Sequence, residues 1–384
     1  MTRHPLWLVG FRPFFALACL SGVVLPVLWA LMFAGVLEAP SAVPAIQWHA
    51  HEMFFGFGWA MLGGFLLTST KNWVKVRGYH GDSLVFLALA WCFDRLGMGF
   101  GAAWPRPLFL LSNQLFMLSI VAMLMWTLLR HRATDGYRRD NIYFLILLPL
   151  FPLSKHLLLD GPYAQAGQLM ALGLFRLAFL IMLERTVTEF MRGVFKAQIL
   201  RQPLLDHAIK LLALALVFAG FLPPALSAGL AALLALLLLG RFAFWQPRLA
   251  FSRLDIGVMH LGYLAIAAQL LVVAFELAAH SVWVGSVSIH LFTFGAMGVI
   301  VPAMIVRISK GHTGRKLAFE AADKAVLWLM IAALALRVVA PQLFPSAYLA
   351  WIGLAAAGWL AAFTLLAWRV IPFLLAPRID GREH

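Results

Sequence analysis

The chain has 384 residues, 63% of them hydrophobic and only 12% charged, with a formal net charge of +14. Soluble domains sit near ~45–50% apolar and ~25% charged, so a water-surrounded core could not hide this much apolar surface. The basic residues are spread along short connections between apolar runs, not gathered in an arm or on one face, which speaks against a nucleic-acid partner. Cys19 and Cys92 each lie in an apolar run outside any CxxC pattern, so neither a disulfide framework nor a zinc finger is readable.

In chain order, Arg3, His4 and Arg12 precede the first long apolar run. That is the charge order of a signal peptide, but no small-x-small cleavage site follows and more spans do, so the reading is an uncleaved first helix. A spanning helix needs ~20 mostly apolar residues. Twelve runs qualify: about 14–36, 50–70, 83–103, 108–129, 141–159, 164–190, 205–222, 225–241, 254–278, 284–306, 320–340 and 347–371. The expected fold is all-α, a polytopic transmembrane helix bundle forming one domain over 1–384, with no soluble domain and no evident internal repeat.

Alternate connections differ sharply in charge. One set holds Arg3 and Arg12; Lys71, Lys75 and Arg77; Arg130, Arg132, Arg138 and Arg139; and Arg192, Lys196 and Arg201. It continues with Arg241, Arg248 and Arg253; Arg307, Lys310, Arg315, Lys316 and Lys324; then Arg369, Arg378 and Arg382. These are 23 residues, against Arg106 and Lys155 alone in the opposite set. The positive-inside bias therefore puts both termini in the cytoplasm.

Polar residues inside spans are costly and mark candidate sites. The richest group is Trp48-His49-Ala50-His51-Glu52, at the outer start of the second span. Two imidazoles and a carboxylate suit a metal or a proton relay. On a helix His49 and His51 point ~200° apart, so either the segment is unwound or the two histidines serve different partners. His49, Glu52, Gly56 and Gly63 share a stripe where the absent side chains would admit a flat cofactor or a close helix. His290 enters from the same outer side in the tenth span, and His156 and His280 are outer-side histidines that could join it.

His260, in the ninth span, falls near the inner edge, so it and His290 should not share one ion. Glu184 lies at similar inner depth and is either a partner of His260 or half of an ion pair with Arg185. The intramembrane Arg95, Arg176 and Arg337 want anions, either the propionates of a haem or acidic neighbours such as Asp94 and Glu276. His312 follows the tenth span in a glycine-flanked turn and could ligate a metal only if that turn folds back. His4, His80, His131, His207 and His384 read as surface groups, and most of the tryptophans as an interfacial belt.

Several stretches, spaced over nearly the whole chain and in family order, resemble the NnrS family. They are Gly10-Phe11-Arg12-Pro13-Phe14-Phe15, Trp48-His49-Ala50-His51-Glu52-Met53-Phe54-Phe55-Gly56, Gly64-Phe65-Leu66-Leu67-Thr68, Asn72-Trp73 and His260-Leu261-Gly262-Tyr263. The others are His290-Leu291-Phe292-Thr293-Phe294-Gly295-Ala296, Arg307-Ile308-Ser309-Lys310-Gly311-His312-Thr313-Gly314-Arg315 and Ala333-Leu334-Ala335-Leu336-Arg337-Val338. The chain departs in the sixth span. There a family stretch resembling Gly-Gly-Arg-Ile/Val-Ile-Pro-Phe-Phe is expected and Leu183-Glu184-Arg185-Thr186-Val187-Thr188-Glu189-Phe190 stands, keeping only the arginine.

The resemblance implies a multi-pass protein of the bacterial inner membrane, associated with haem, copper and the response to nitric oxide. The residues supply candidates for it. His49, His51, His260 and His290 would be haem or metal ligands, with Glu184 and His312 as further ones. Arg95 and Arg337 would meet the propionates of haem b, and Glu52 would relay protons. The expected activity is redox handling of nitric oxide or iron-nitrosyl species, with a quinol or other electron donor. A secondary transporter, or a non-catalytic haem or copper carrier, is the alternative.

The charge split is tested by single cysteines placed in a background without Cys19 and Cys92. Ala133→Cys is expected to react with a membrane-impermeant thiol reagent only after the cells are opened, and Gly161→Cys in intact cells. The reverse pattern would invert the topology.

Overall fold

The computed structural model of the chain describes residues 4–40, 42–279 and 283–382. Arg3, His280 and His384 lie outside the described residues. Among the described residues, twelve helices are long and apolar enough to cross a membrane. They are α1 (Phe11–Phe33), α2 (Ala45–Val74), α3 (Asp82–Ala103), α4 (Arg106–Arg130), α5 (Asn141–Leu159) and α6 (Gly161–Phe195), followed by α7 (Pro203–Phe221), α8 (Pro224–Phe244), α9 (Leu254–Ala279), α10 (Val287–His312), α11 (Ala321–Leu343) and α12 (Pro345–Leu375).

Each coincides with an expected run, and the chain is a multi-pass helical membrane protein. The ends differ where hydropathy misleads. Helix α2 starts at Ala45 instead of 50, because the polar residues of its first turns, His51 and Glu52, are buried by neighbours and do not need to leave the helix for water.

The chain forms two compact units. The first comprises residues 1–164, 305–318 and 363–384, so it holds α1 to α5 and the final parts of α10 and α12. In it, α1 and α2 pack closely at Gly64, where an added Cβ would lie 2.7 Å from the Phe14 Cβ. The Phe11 backbone N–H, left without a helical partner at the start of α1, donates to Thr68 Oγ1 at 2.9 Å. Arg12 is fully buried. Its Nη1 donates to the carbonyls of Leu374 at 2.9 Å and Ala376 at 2.7 Å. These are orphan acceptors at the end of α12, where the helix dipole also favours a cation. The Gly10-to-Phe15 motif is thus a packing and capping device. A cavity of about 890 Å³ opens beside it, lined by Trp7, Arg77, His80, Arg378 and Arg382 among others. There Arg378 hydrogen-bonds Asp380 and holds its carboxyl down at about 2.

The second unit comprises residues 165–304 and 319–362. Here α9 packs along α8 and against the start of α10. The glycines of two motif stretches make that approach possible. A Cβ at Gly295 would lie 2.6 Å from the Ala265 Cβ, and one at Gly262 would run into Ile300.

Among the described residues, three spans contain a wide π turn: Glu52–Gly58 in α2, Thr293–Gly298 in α10 and Ala335–Val339 in α11. Such turns bond i to i+5, are rare, and concentrate at functional sites.

Gly64→Leu is expected to push α1 from α2 and cost about 1–3 kcal/mol through overpacking. Gly99→Leu, with nothing within 4 Å of its Cβ, is the matched control. The thermal midpoint of the detergent-solubilised protein reads the difference.

Candidate functional site

The wide turn of α2 opens beside a buried charge cluster in the first unit. His51 is the last α-helical residue before it and Glu52 the first residue within it. The His51 Nδ1 lies 3.0 Å from Glu52 Oε1, and its Nε2 lies 3.9 Å from Asp94 Oδ1. Arg95 bridges both carboxylates, at 2.8 Å to Glu52 Oε2 and 2.8 Å to Asp94 Oδ2. Lys155 pairs with the same Asp94 oxygen and donates to the Asn113 carbonyl. Two carboxylates therefore face one guanidinium and one ammonium, which balances the cluster when the imidazole is neutral.

Lys155 corrects the sequence reading. It is an internal residue of α5, fully buried, not an outer-loop residue. Only Arg106 is then left in the charge-poor set. Arg95 is likewise committed to Glu52, Asp94 and the Phe55 carbonyl, 3.2 Å away, so a haem propionate is not needed to explain it.

His49 and His51 are both helical and serve different partners, as their spacing requires. The His49 ring stacks on Trp29, with centroids 4.3 Å apart and planes at 12°. The glycine stripe is filled by side chains. A Cβ at Gly56 would meet Arg95 Nη1 at 3.0 Å, and one at Gly63 the Ile120 Cδ1 at 2.7 Å. Close helix packing accounts for both.

A second buried cluster lies in the second unit, toward the basic ends of α6 to α9. Glu184 pairs with Arg201, with Lys210 at 3.3 Å and with Arg241 at 3.3 Å. Asp206 pairs with Arg201 at 3.0 Å and Arg241 at 3.2 Å. Arg241 Nε donates to Tyr263 Oη at 3.0 Å, which in turn donates to the Leu238 carbonyl at 3.1 Å. Glu184 is thus a hub for three cations. His260 lies elsewhere, with Nε2 3.1 Å from the Trp245 carbonyl and Nδ1 3.4 Å from the Ile256 carbonyl. Both ring nitrogens face backbone oxygens, of which a neutral imidazole can donate to one.

His290 is arranged differently. It is 9% exposed, near the start of α10, and its Nδ1 donates to the Ser286 carbonyl at 2.8 Å. That bond to a carbonyl places a hydrogen on Nδ1, as the second bond of imidazole ligands commonly does. Its helical segment starts at Val287, so His290 is nearer the helix end than the run from 284 implies. The wide turn of α11 packs against this segment and carries Arg337, whose guanidinium lies 5.9 Å from the Tyr348 ring centroid. His312 ends α10, its ring 5.4 Å from that of Phe11 and its carbonyl accepting from Arg378 at 2.9 Å.

Among the described residues, no three His, Cys, Asp or Glu side chains gather as an ion-holding group. Three features escaped the sequence reading. Asn113 and the pairing of Lys155 with Asp94 complete the first cluster, and Arg201, Asp206, Lys210 and Arg241 the second. The third is a shared pattern: His51 and His290 are each followed by Phe at the fourth position and Gly at the fifth, and each stands just before a wide turn. That six-residue likeness is legible once the turns are seen.

The family model described as NnrS protein matches residues 5–378, nearly the whole chain. Among curated proteins, none is significantly similar to it.

Asp94→Asn removes the shared counter-charge of Lys155 and Arg95 and is expected to cost about 3–5 kcal/mol, the range for breaking a buried pair. Adding Lys155→Met should recover part of that loss. Survival of folded protein after graded heating compares the single and double variants.

Proposed function

Because the chain belongs to the NnrS family, which is linked to the nitric-oxide response, we propose that it binds haem through His290 and acts in redox handling of nitric oxide or iron-nitrosyl species. The observation that carries this reading is the Nδ1 hydrogen bond of His290 to the Ser286 carbonyl at the threshold of a wide turn. Arg337, on the wide turn packed against it, is the proposed partner of a propionate. One imidazole and one guanidinium on packed segments fit a group with a metal at its centre and carboxylates at its edge. A protein-held ion would want three or more donors together.

When bound, a haem iron supplies a centre that ligates nitric oxide directly and changes valence. The chain's own residues supply the rest. His290 would hold the iron, and Arg337 would answer a carboxylate of the group within the bilayer. Glu52, with His51 and Asp94 beside it, is the proposed carrier of protons for reduction. A quinol is the proposed electron donor and the bacterial inner membrane the proposed location. Copper, which imidazole also suits, is the second candidate cofactor, and it would need donors beyond His290.

The test is the absorption spectrum and metal content of the purified protein. A Soret band is expected in the wild type and in His51→Ala and His260→Ala, and its loss in His290→Ala. Arg337→Gln should weaken haem retention by about tenfold, the scale of a lost charge-assisted hydrogen bond. A wild-type protein with neither a Soret band nor a transition metal would sink the reading. Haem bound without turnover of nitric oxide would favour a carrier, and substrate uptake into liposomes that survives His290→Ala would favour a transporter.

A further inference from the structure

Most buried cations described above have an evident answer to their charge. Arg95 and Lys155 meet Asp94, Lys210 and Arg241 meet Glu184, and Arg12 meets the carbonyls ending α12. Arg176 differs. It is 4% exposed, near the middle of α6, and its hydrogen-bond partner is the neutral amide of Gln269 on α9, with Nη1 donating to Oε1 at 3.1 Å. Gln269 is itself 2% exposed. The Nε of Arg176 is buried with no acceptor, and among the described residues no carboxylate pairs with this guanidinium. A charge at this depth in a bundle is costly unless an opposite charge meets it.

We propose that Arg176 and Gln269 form an intramembrane binding site for a planar monovalent oxyanion of the nitrite or nitrate class. The guanidinium is a flat fork of N–H donors that matches two coplanar oxygens, and its Nε–H is the donor still lacking one. Gln269 gives its carbonyl to Arg176, so its amide nitrogen brings further donors and no competing charge. One positive charge calls for one negative charge, because a dianion would leave an excess charge in lipid. The surroundings favour a small ligand. One turn before Arg176, a Cβ at Gly173 would lie 2.8 Å from the Val217 Cα, and one turn after it the Phe179 ring meets Phe292 edge-on at 5.9 Å. The same fork would also take a carboxylate, such as a cofactor's side arm, and the experiment separates the two sources.

Equilibrium dialysis of the purified protein against nitrite and, separately, nitrate is the measurement, with sulfate as the dianion control. Saturable binding of one monovalent anion per chain is expected. Arg176→Gln should weaken it by at least about tenfold, the loss expected for a charge-assisted hydrogen bond. Gln269→Glu places a carboxylate beside Arg176, so it should abolish anion binding while raising the thermal midpoint in anion-free buffer. That second variant keeps the test decisive if Arg176→Gln folds poorly. Absence of saturable binding to the wild type, equal binding by Gln269→Glu, or sulfate bound as tightly as nitrate would each overturn the proposal. If haem or metal content falls in both variants while nitrite and nitrate fail to bind the wild type, the anion is the cofactor's carboxylate and the small-anion site is refuted. Run also on His290→Ala protein, where the haem reading leaves no iron to take nitrite, the dialysis reads the Arg176 site apart from that reading.

Discussion

A charge in hydrocarbon has no water to fall back on, and the polar interior of this chain is organised by that constraint. Carboxylates are shared between cations, as Asp94 is between Arg95 and Lys155, and Glu184 among Arg201, Lys210 and Arg241. Backbone oxygens at a helix end answer Arg12. A buried ion pair adds little net stability over a good apolar contact, because desolvation offsets the attraction. What the clusters do contribute is position. Each ties three or more spans at one depth, and a partner removed from any of them leaves a stranded charge.

The spans were legible because hydropathy reports the solvent directly, and lipid-facing helices cannot hide their composition. The polar partnerships were not, because they join residues far apart in sequence. Asp94 and Lys155 are separated by 61 positions, and nothing local distinguishes Lys155 from a lysine at a helix mouth. Helical spacing left two options for His49 and His51, an unwound segment or separate partners, and the helical conformation of both, with His49 stacked on Trp29, selects the second. At His260 the sequence displays an imidazole in a span but not the carbonyls of Trp245 and Ile256 that lie against its ring nitrogens.

The motif stretches therefore divide by what they do in the fold. The first, around Arg12, and the one containing Gly262 and Tyr263 serve packing and charge compensation. The stretches around Glu52, His290 and Arg337 coincide with the three wide turns. Regular α-helix would have served for crossing the bilayer alone, so these departures mark where side-chain direction is under a further requirement.

A wide turn is, in the language of chain length, one extra residue accommodated without breaking the helix. Deleting a single residue from Glu52–Gly58 or Thr293–Gly298 would let the span relax to ordinary winding. A π turn and the α turn that would replace it each make about one revolution, so the helix on either side would keep its face. The side chains inside the turn would be redirected instead, and the surface they present beside His51 or His290 would change. In these spans a gap of one position in an alignment is a local change of direction that leaves the rest of the span in register.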